Sequence, residues 1–101
     1  MSNYKLITPE QMAQKIAQRL QYLRVQNNWT QKTLAQRAGV SLGSLRRFEQ
    51  TGEISFGSLL LLATALDHLD DFENILHPPP AQSLAELEEQ DRSTSKKRGR
   101  I

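Results

Sequence analysis

Thr30 to Gly52 reads TQKTLAQRAGVSLGSLRRFEQTG, and its apolar positions recur at helical spacing on both sides of a break at Gly39-Val40-Ser41. A stretch so short hides its apolar side only by folding back on itself. Two short helices joined by about three residues lock at a steep angle. Leu34, Ala35, Ala38, Val40, Leu45 and Phe48 supply the inward faces. Gly39 suits the positive φ of the turn, because it lacks the Cβ that makes that backbone region costly.

The remainder of the chain predicts helices around this pair. Thr8 caps a first helix with Pro9 at its first position and Glu10 in its first turn. Met12, Ile16, Leu20 and Leu23 follow at three- and four-residue spacing, with Ala13 and Ala17 beside them. Asn27-Asn28 suits a left-handed C-terminal cap, Trp29 reads as a core aromatic, and Thr30 caps the second helix, which runs to about Ala38. Ser41 caps the third, which lasts to about Gln50. Ser55 caps a fourth, whose Leu59, Leu62 and Leu66 lie in the most hydrophobic stretch of the sequence. A fifth, short and acidic, is expected over Asp70 to Leu76 with Phe72, Ile75 and Leu76 inward. Five helices and no strand pattern make an all-α domain.

His77 and then Pro78-Pro79-Pro80 end that domain, since three prolines cannot continue a helix and favour a polyproline II spacer. Ser83-Leu84-Ala85-Glu86 is a capping box that opens a short acidic helix to about Gln90. The polar and basic residues after it cannot bury enough surface to fold alone. The expected organisation is an N-terminal arm over 1–8, a folded domain over 9–77, and over 78–101 a Pro-rich linker, short acidic helix and disordered basic tail.

Composition removes several kinds of chemistry. The 101 residues include no cysteine, which excludes disulfides, thiolate metal sites and cysteine nucleophiles. His68 and His77 are too isolated for a zinc constellation, and there is no glycine-rich phosphate loop. Asp70-Asp71 with Glu73 resembles a metal cluster only superficially, because adjacent positions point in different directions and acids at a helix start complement its dipole. No enzyme activity and no cofactor are expected. The longest purely apolar run, Leu59 to Ala63, is far short of a membrane span, and the N-terminus lacks the order of a secretory signal. The expectation is a soluble cytoplasmic protein.

Charge is segregated along the chain more strongly than the net +2 conveys. Residues 1–52 carry Lys5, Lys15, Arg19, Arg24, Lys32, Arg37, Arg46 and Arg47 against only Glu10 and Glu49. From 53 to 91 every charged side chain is acidic apart from the two histidines, and from 92 onward every one is basic. A polyanion therefore attracts the two ends and repels the middle.

The faces of the third helix follow from rotation by roughly 100° per residue. With Leu45 and Phe48 inward, Gly43, Arg46, Arg47 and Gln50 point away, and Leu42 and Ser44 flank them. A helix so exposed, braced by a second, is the layout that enters the major groove of DNA with its N-terminal turns. Leu42, Gly43 and Arg47 are the candidates for groove contact, and Ser41, Ser44 and Arg46 suit phosphates or flanking bases. Arg47 can give guanine two parallel hydrogen bonds, about 1–3 kcal/mol of discrimination, whereas Leu42 offers only a thymine methyl contact. Gly43 costs the helix about 1 kcal/mol relative to alanine. Closer backbone approach to the groove would offset that cost, with shape readout then adding to specificity.

Gln31, Ala35, Gly39-Val40-Ser41, Leu45, Phe48-Glu49 and Gly52 resemble the signature of the Cro/C1-type (XRE) helix-turn-helix family over roughly residues 16 to 76. The resemblance implies a five-helix lambda-repressor-like domain that binds double-stranded operator DNA as a homodimer and represses transcription. It implies that Gln31, opening the second helix beside Lys32 in the DNA-binding set, contacts a phosphate. Leu42, Gly43 and Arg47 take its base-reading positions, and Glu49 makes a structural ion pair with Arg24. Leu42 and Gly43 depart from the family's frequent glutamine or other hydrogen-bonding residue.

A narrower resemblance is to HipB-like antitoxins, carried by the acidic fifth helix, Pro78-Pro79-Pro80, the Leu-Ala-Glu-Leu segment and the basic tail. It implies autorepression and a HipA-type kinase toxin as partner, with Asp67 to Asp91 as a surface for protein. The alternatives are a stand-alone regulator of phage-like or chromosomal origin and an adaptor that kept the scaffold without binding DNA.

Overall fold

The computed structural model describes residues 6–80 together with Glu88, Glu89 and Asp91. Its helices are α1 (Pro9–Gln26), α2 (Gln31–Ala38), α3 (Leu42–Thr51) and α4 (Phe56–Ala65), followed by a single 3₁₀ turn at Leu69–Phe72. No strand occurs among the described residues.

Each helix starts where a hydroxyl can accept an otherwise unpartnered backbone N–H. Thr8 accepts from the Gln11 N–H at 3.1 Å while the Gln11 side chain accepts from the Thr8 N–H at 3.0 Å, a complete capping box. Thr30, Ser41 and Ser55 accept from Thr33, Ser44 and Ser58 in the same way. The ends are equally local: Asn28 takes φ 61° after α1, and Gly39 takes φ 74° after α2. Gly52, at φ 83°, also lies against α1, where a Cβ would fall 2.9 Å from the carbonyl carbon of Ala13. Close backbone approach as well as φ requires glycine there.

These helices close over one core. Ala17 and Leu20 of α1, Leu34, Ala35 and Ala38 of α2, Leu45 and Phe48 of α3, Leu62 of α4, and Val40 and Leu66 in the connections form its buried cluster. Ile16, Leu23, Trp29, Leu42, Ile54 and Leu59 pack around it. α3 packs on both α1 and α2, and α2 also meets α4. Trp29 is only partly buried and lies beneath the Arg37 guanidinium, 4.6 Å from its ring centroid, so it seals the core edge rather than filling the centre. Met12, one turn before Ile16, is largely exposed because the apolar stripe of α1 meets its neighbours only from Ala13 onward.

The expected fifth helix is replaced by the 3₁₀ turn and a run of turns from Glu73 to Leu76. Phe72 is partly buried and Ile75, 50% exposed, lines a groove with Leu20 and Leu59, but Leu76 is 96% exposed and does not point inward as its spacing predicts. The segment has no side-chain cap bond, and left-handed residues bracket it at Asp67, φ 62°, and Leu76, φ 57°. Without a cap to start it or a covered apolar face to hold it, the segment closes only one 3₁₀ turn. The five-helix expectation is therefore corrected to four α-helices and one 3₁₀ turn over residues 6–80.

The expected N-terminal arm is described only from Leu6. The acidic helix expected from Ser83 to about Gln90 lies outside the described residues except for Glu88 and Glu89, which are helical, as is Asp91 just beyond its expected end. The basic tail lies outside them entirely.

Candidate nucleic-acid interface

α3 is inserted by its apolar side and left bare on the other. Leu45 and Phe48 are fully buried, while Gly43, Ser44, Arg46, Arg47 and Gln50 are exposed. With Thr51 they make six exposed positions on a ten-residue helix, one continuous face with two guanidinium groups. Leu42, placed by sequence among the groove contacts, packs partly against the core and has only its outer side free. Ser41 uses its hydroxyl oxygen to cap α3 and meets the Ser44 hydroxyl at 2.8 Å, so the two serines form a small local pair at the start of the helix. No Cβ neighbour lies within 4 Å of Gly43, which leaves its backbone open to approach from outside.

A part-buried polar cluster fixes how that helix stands. The Arg24 guanidinium donates to both carboxylate oxygens of Glu49, Nε to Oε2 at 2.8 Å and Nη2 to Oε1 at 3.0 Å. Its Nη1 donates to the Trp29 carbonyl at 2.9 Å. The two side chains are only 11% and 3% exposed, and the fork geometry satisfies both groups. Gln31 Nε2 donates to Glu49 Oε1 at 3.0 Å. The end of α1, the start of α2 and the middle of α3 thus share one carboxylate. Gln31, assigned to a phosphate by resemblance, has one of its two amide hydrogens directed inward by this bond. Lys32 beside it is exposed.

Sequence reasoning missed the partner of Arg47. Its Nε donates to Glu53 Oε1 at 3.0 Å, and its Nη2 reaches the same oxygen. Both side chains stand in solvent, 69% and 64% exposed. The signal is an acid six residues on, just past Gly52, at the start of the acidic middle of the chain.

Among the described residues, no group of His, Asp or Glu could hold a metal ion. An open groove lined by Phe56, Leu60, Thr64, Asp67, Leu69 and Phe72 carries no nucleophile paired with a base. No helix among the described residues is long and apolar enough to cross a membrane.

A small helical bundle that buries one helix by its inner side and offers the outer side as a polar, arginine-bearing ridge defines a nucleic-acid-reading module. Its family follows directly: a helix-turn-helix family model matches residues 20–72, more than half of the chain, and the chain belongs to this Cro/C1-type (XRE) family. The match spans the end of α1, α2, the Gly39 turn, α3, α4 and the 3₁₀ turn. Such a domain is the DNA-binding part of a transcription regulator, a family not typically enzymatic. No curated protein matches the sequence.

Proposed function

We propose that this protein is a transcriptional repressor that binds operator DNA as a dimer, with the N-terminal part of α3 in the major groove. The observation that carries the reading is the bare polar face of α3 set against the complete burial of Leu45 and Phe48. In the reading, Arg47 and the exposed backbone at Gly43 reach bases. Ser41, Ser44, Arg46, Gln31 and Lys32 contact phosphates or flanking bases, and Leu42 adds an apolar contact from its free side.

Fluorescence anisotropy on a duplex selected by the protein from a random pool tests this. Binding should weaken steeply with salt, because each neutralised phosphate releases counterion. Arg47→Ala should weaken binding to the selected duplex about tenfold or more, the loss of one bidentate guanine contact, and binding to a scrambled duplex much less. Equal losses on both would remove Arg47 from base reading, and salt-independent binding would end the DNA-binding reading.

The antitoxin reading is a proposal carried by the order of acidic segment, three prolines and basic tail. Copurification of a kinase encoded beside this protein is its test.

A further inference from the structure

The Arg47–Glu53 pair stands out among the polar contacts because it holds a base-reading side chain without holding the fold. Two exposed groups gain little stability from pairing in water. Yet this pair is assembled with care by the backbone. The Thr51 hydroxyl donates to the Arg47 carbonyl at 2.7 Å and accepts from the Glu53 N–H at 3.1 Å, so one side chain ties both partners' backbones. Gly52 between them turns the chain at φ 83° against Ala13 of α1. The carboxylate is thereby brought back beside the helix it has just left.

The edge used matters. A guanidinium has a side edge, Nε with one Nη, and an end edge formed by both Nη groups. Glu53 takes the side edge with a single oxygen. Among the described residues nothing binds Nη1 of Arg47. The fork left open presents two N–H donors that can meet the two acceptors of guanine in the major groove.

We propose that Glu53 is a positioning and specificity residue: it orients Arg47 side-on, aims the free end of the guanidinium at a guanine, and opposes use of the same charge on arbitrary phosphates. This rests on the DNA-binding reading above. The carboxylate neutralises Arg47 wherever no guanine meets the open fork and repels phosphates nearby. Both effects weaken non-specific binding more than specific binding.

The test compares Glu53→Ala with the unchanged chain on the selected duplex and on a scrambled duplex of the same composition, across a salt series. The expected result is tighter binding to scrambled DNA, a salt slope there steeper by about 0.9 as Arg47 gains a phosphate, and a preference for the selected duplex reduced about tenfold. In an Arg47→Ala background the Glu53→Ala change should no longer alter that preference. Circular dichroism and melting should be unchanged by Glu53→Ala, which separates positioning from folding. A preference unchanged within about twofold would overturn the proposal, as would an equal effect in the Arg47→Ala background, which would place Glu53 in direct action on DNA. If the unchanged chain shows no salt-dependent binding, the DNA-binding reading has failed instead.

Discussion

Glu49 on α3 is held from two other helices, because three N–H groups from two side chains, Arg24 of α1 and Gln31 of α2, converge on its carboxylate. Truncating it leaves the Arg24 guanidinium nearly buried with only the Trp29 carbonyl as partner, and leaves Gln31 without its acceptor. Breaking a buried pair on one side costs far more than the pair contributes, since the remaining charge stays desolvated. Glu49→Ala should therefore lower unfolding free energy by about 3 kcal/mol, read as a lower urea midpoint with an unchanged slope. Replacing both partners together, Arg24→Met with Glu49→Leu, should recover most of that loss. A double variant as unstable as Glu49→Ala would show that the pair itself, and not the orphaned charge, supplies the stability.

At the scale of elements, the sequence was legible where local chemistry decides and opaque where packing decides. Thr8, Thr30, Ser41 and Ser55 mark all four helix starts because a hydroxyl cap is a contact within three residues. Gly39 and Asn28 mark ends for the same reason, through their own φ. The third helix was readable face by face, since Leu45 and Phe48 fix its rotation and the exposed residues follow. The segment from Asp70 to Leu76 misleads because its apolar spacing is helical while the bundle covers Ile75 only by half and leaves Leu76 bare. Leu42 was harder for a similar reason: rotation places it on a flank, and only the core's extent shows which way the flank leans. The Arg47–Glu53 contact depended on how the chain turns at Gly52, which no periodicity encodes.

α3 also carries a helix-level conflict at Gly43, the second residue of its first turn. The space around its Cβ direction is open, so alanine would meet no neighbour and would gain helix propensity of about 0.5–1 kcal/mol. For a domain of this size that corresponds to a melting temperature higher by about 2–8 °C. A glycine kept against that gain fits close backbone approach to the groove. Gly43→Ala should accordingly melt higher yet bind the selected duplex more weakly, measured by calorimetry and anisotropy on the same preparation. Higher melting with undiminished binding would assign Gly43 no part in the interface.

At the scale of the whole molecule, an apolar region lies uncovered among the described residues on the side formed by α4 and the 3₁₀ turn. Phe56 is 62% exposed, stands edge-on to Phe72 with ring centroids 6.2 Å apart, and opens the same groove as Leu60 and Leu69. A second copy would cover this region in the proposed dimer. A symmetric pair is what one recognition helix needs, because two half-sites about one DNA turn apart multiply the discrimination of each. Phe56→Asp tests the idea with little risk to the fold: it is the first residue of α4, where a negative charge complements the helix dipole. The lost ring contact costs only about 0.5–1.5 kcal/mol. Light scattering at micromolar concentration should give a dimer for the unchanged chain and a monomer for the variant. Binding to a full two-half-site duplex should fall about a hundredfold, the combined effect of losing one of two tethered contacts, while binding to a single half-site should stay the same. If the variant remains dimeric, the interface lies elsewhere on the molecule; if the unchanged chain is monomeric even on the full duplex, the two-fold arrangement itself is wrong.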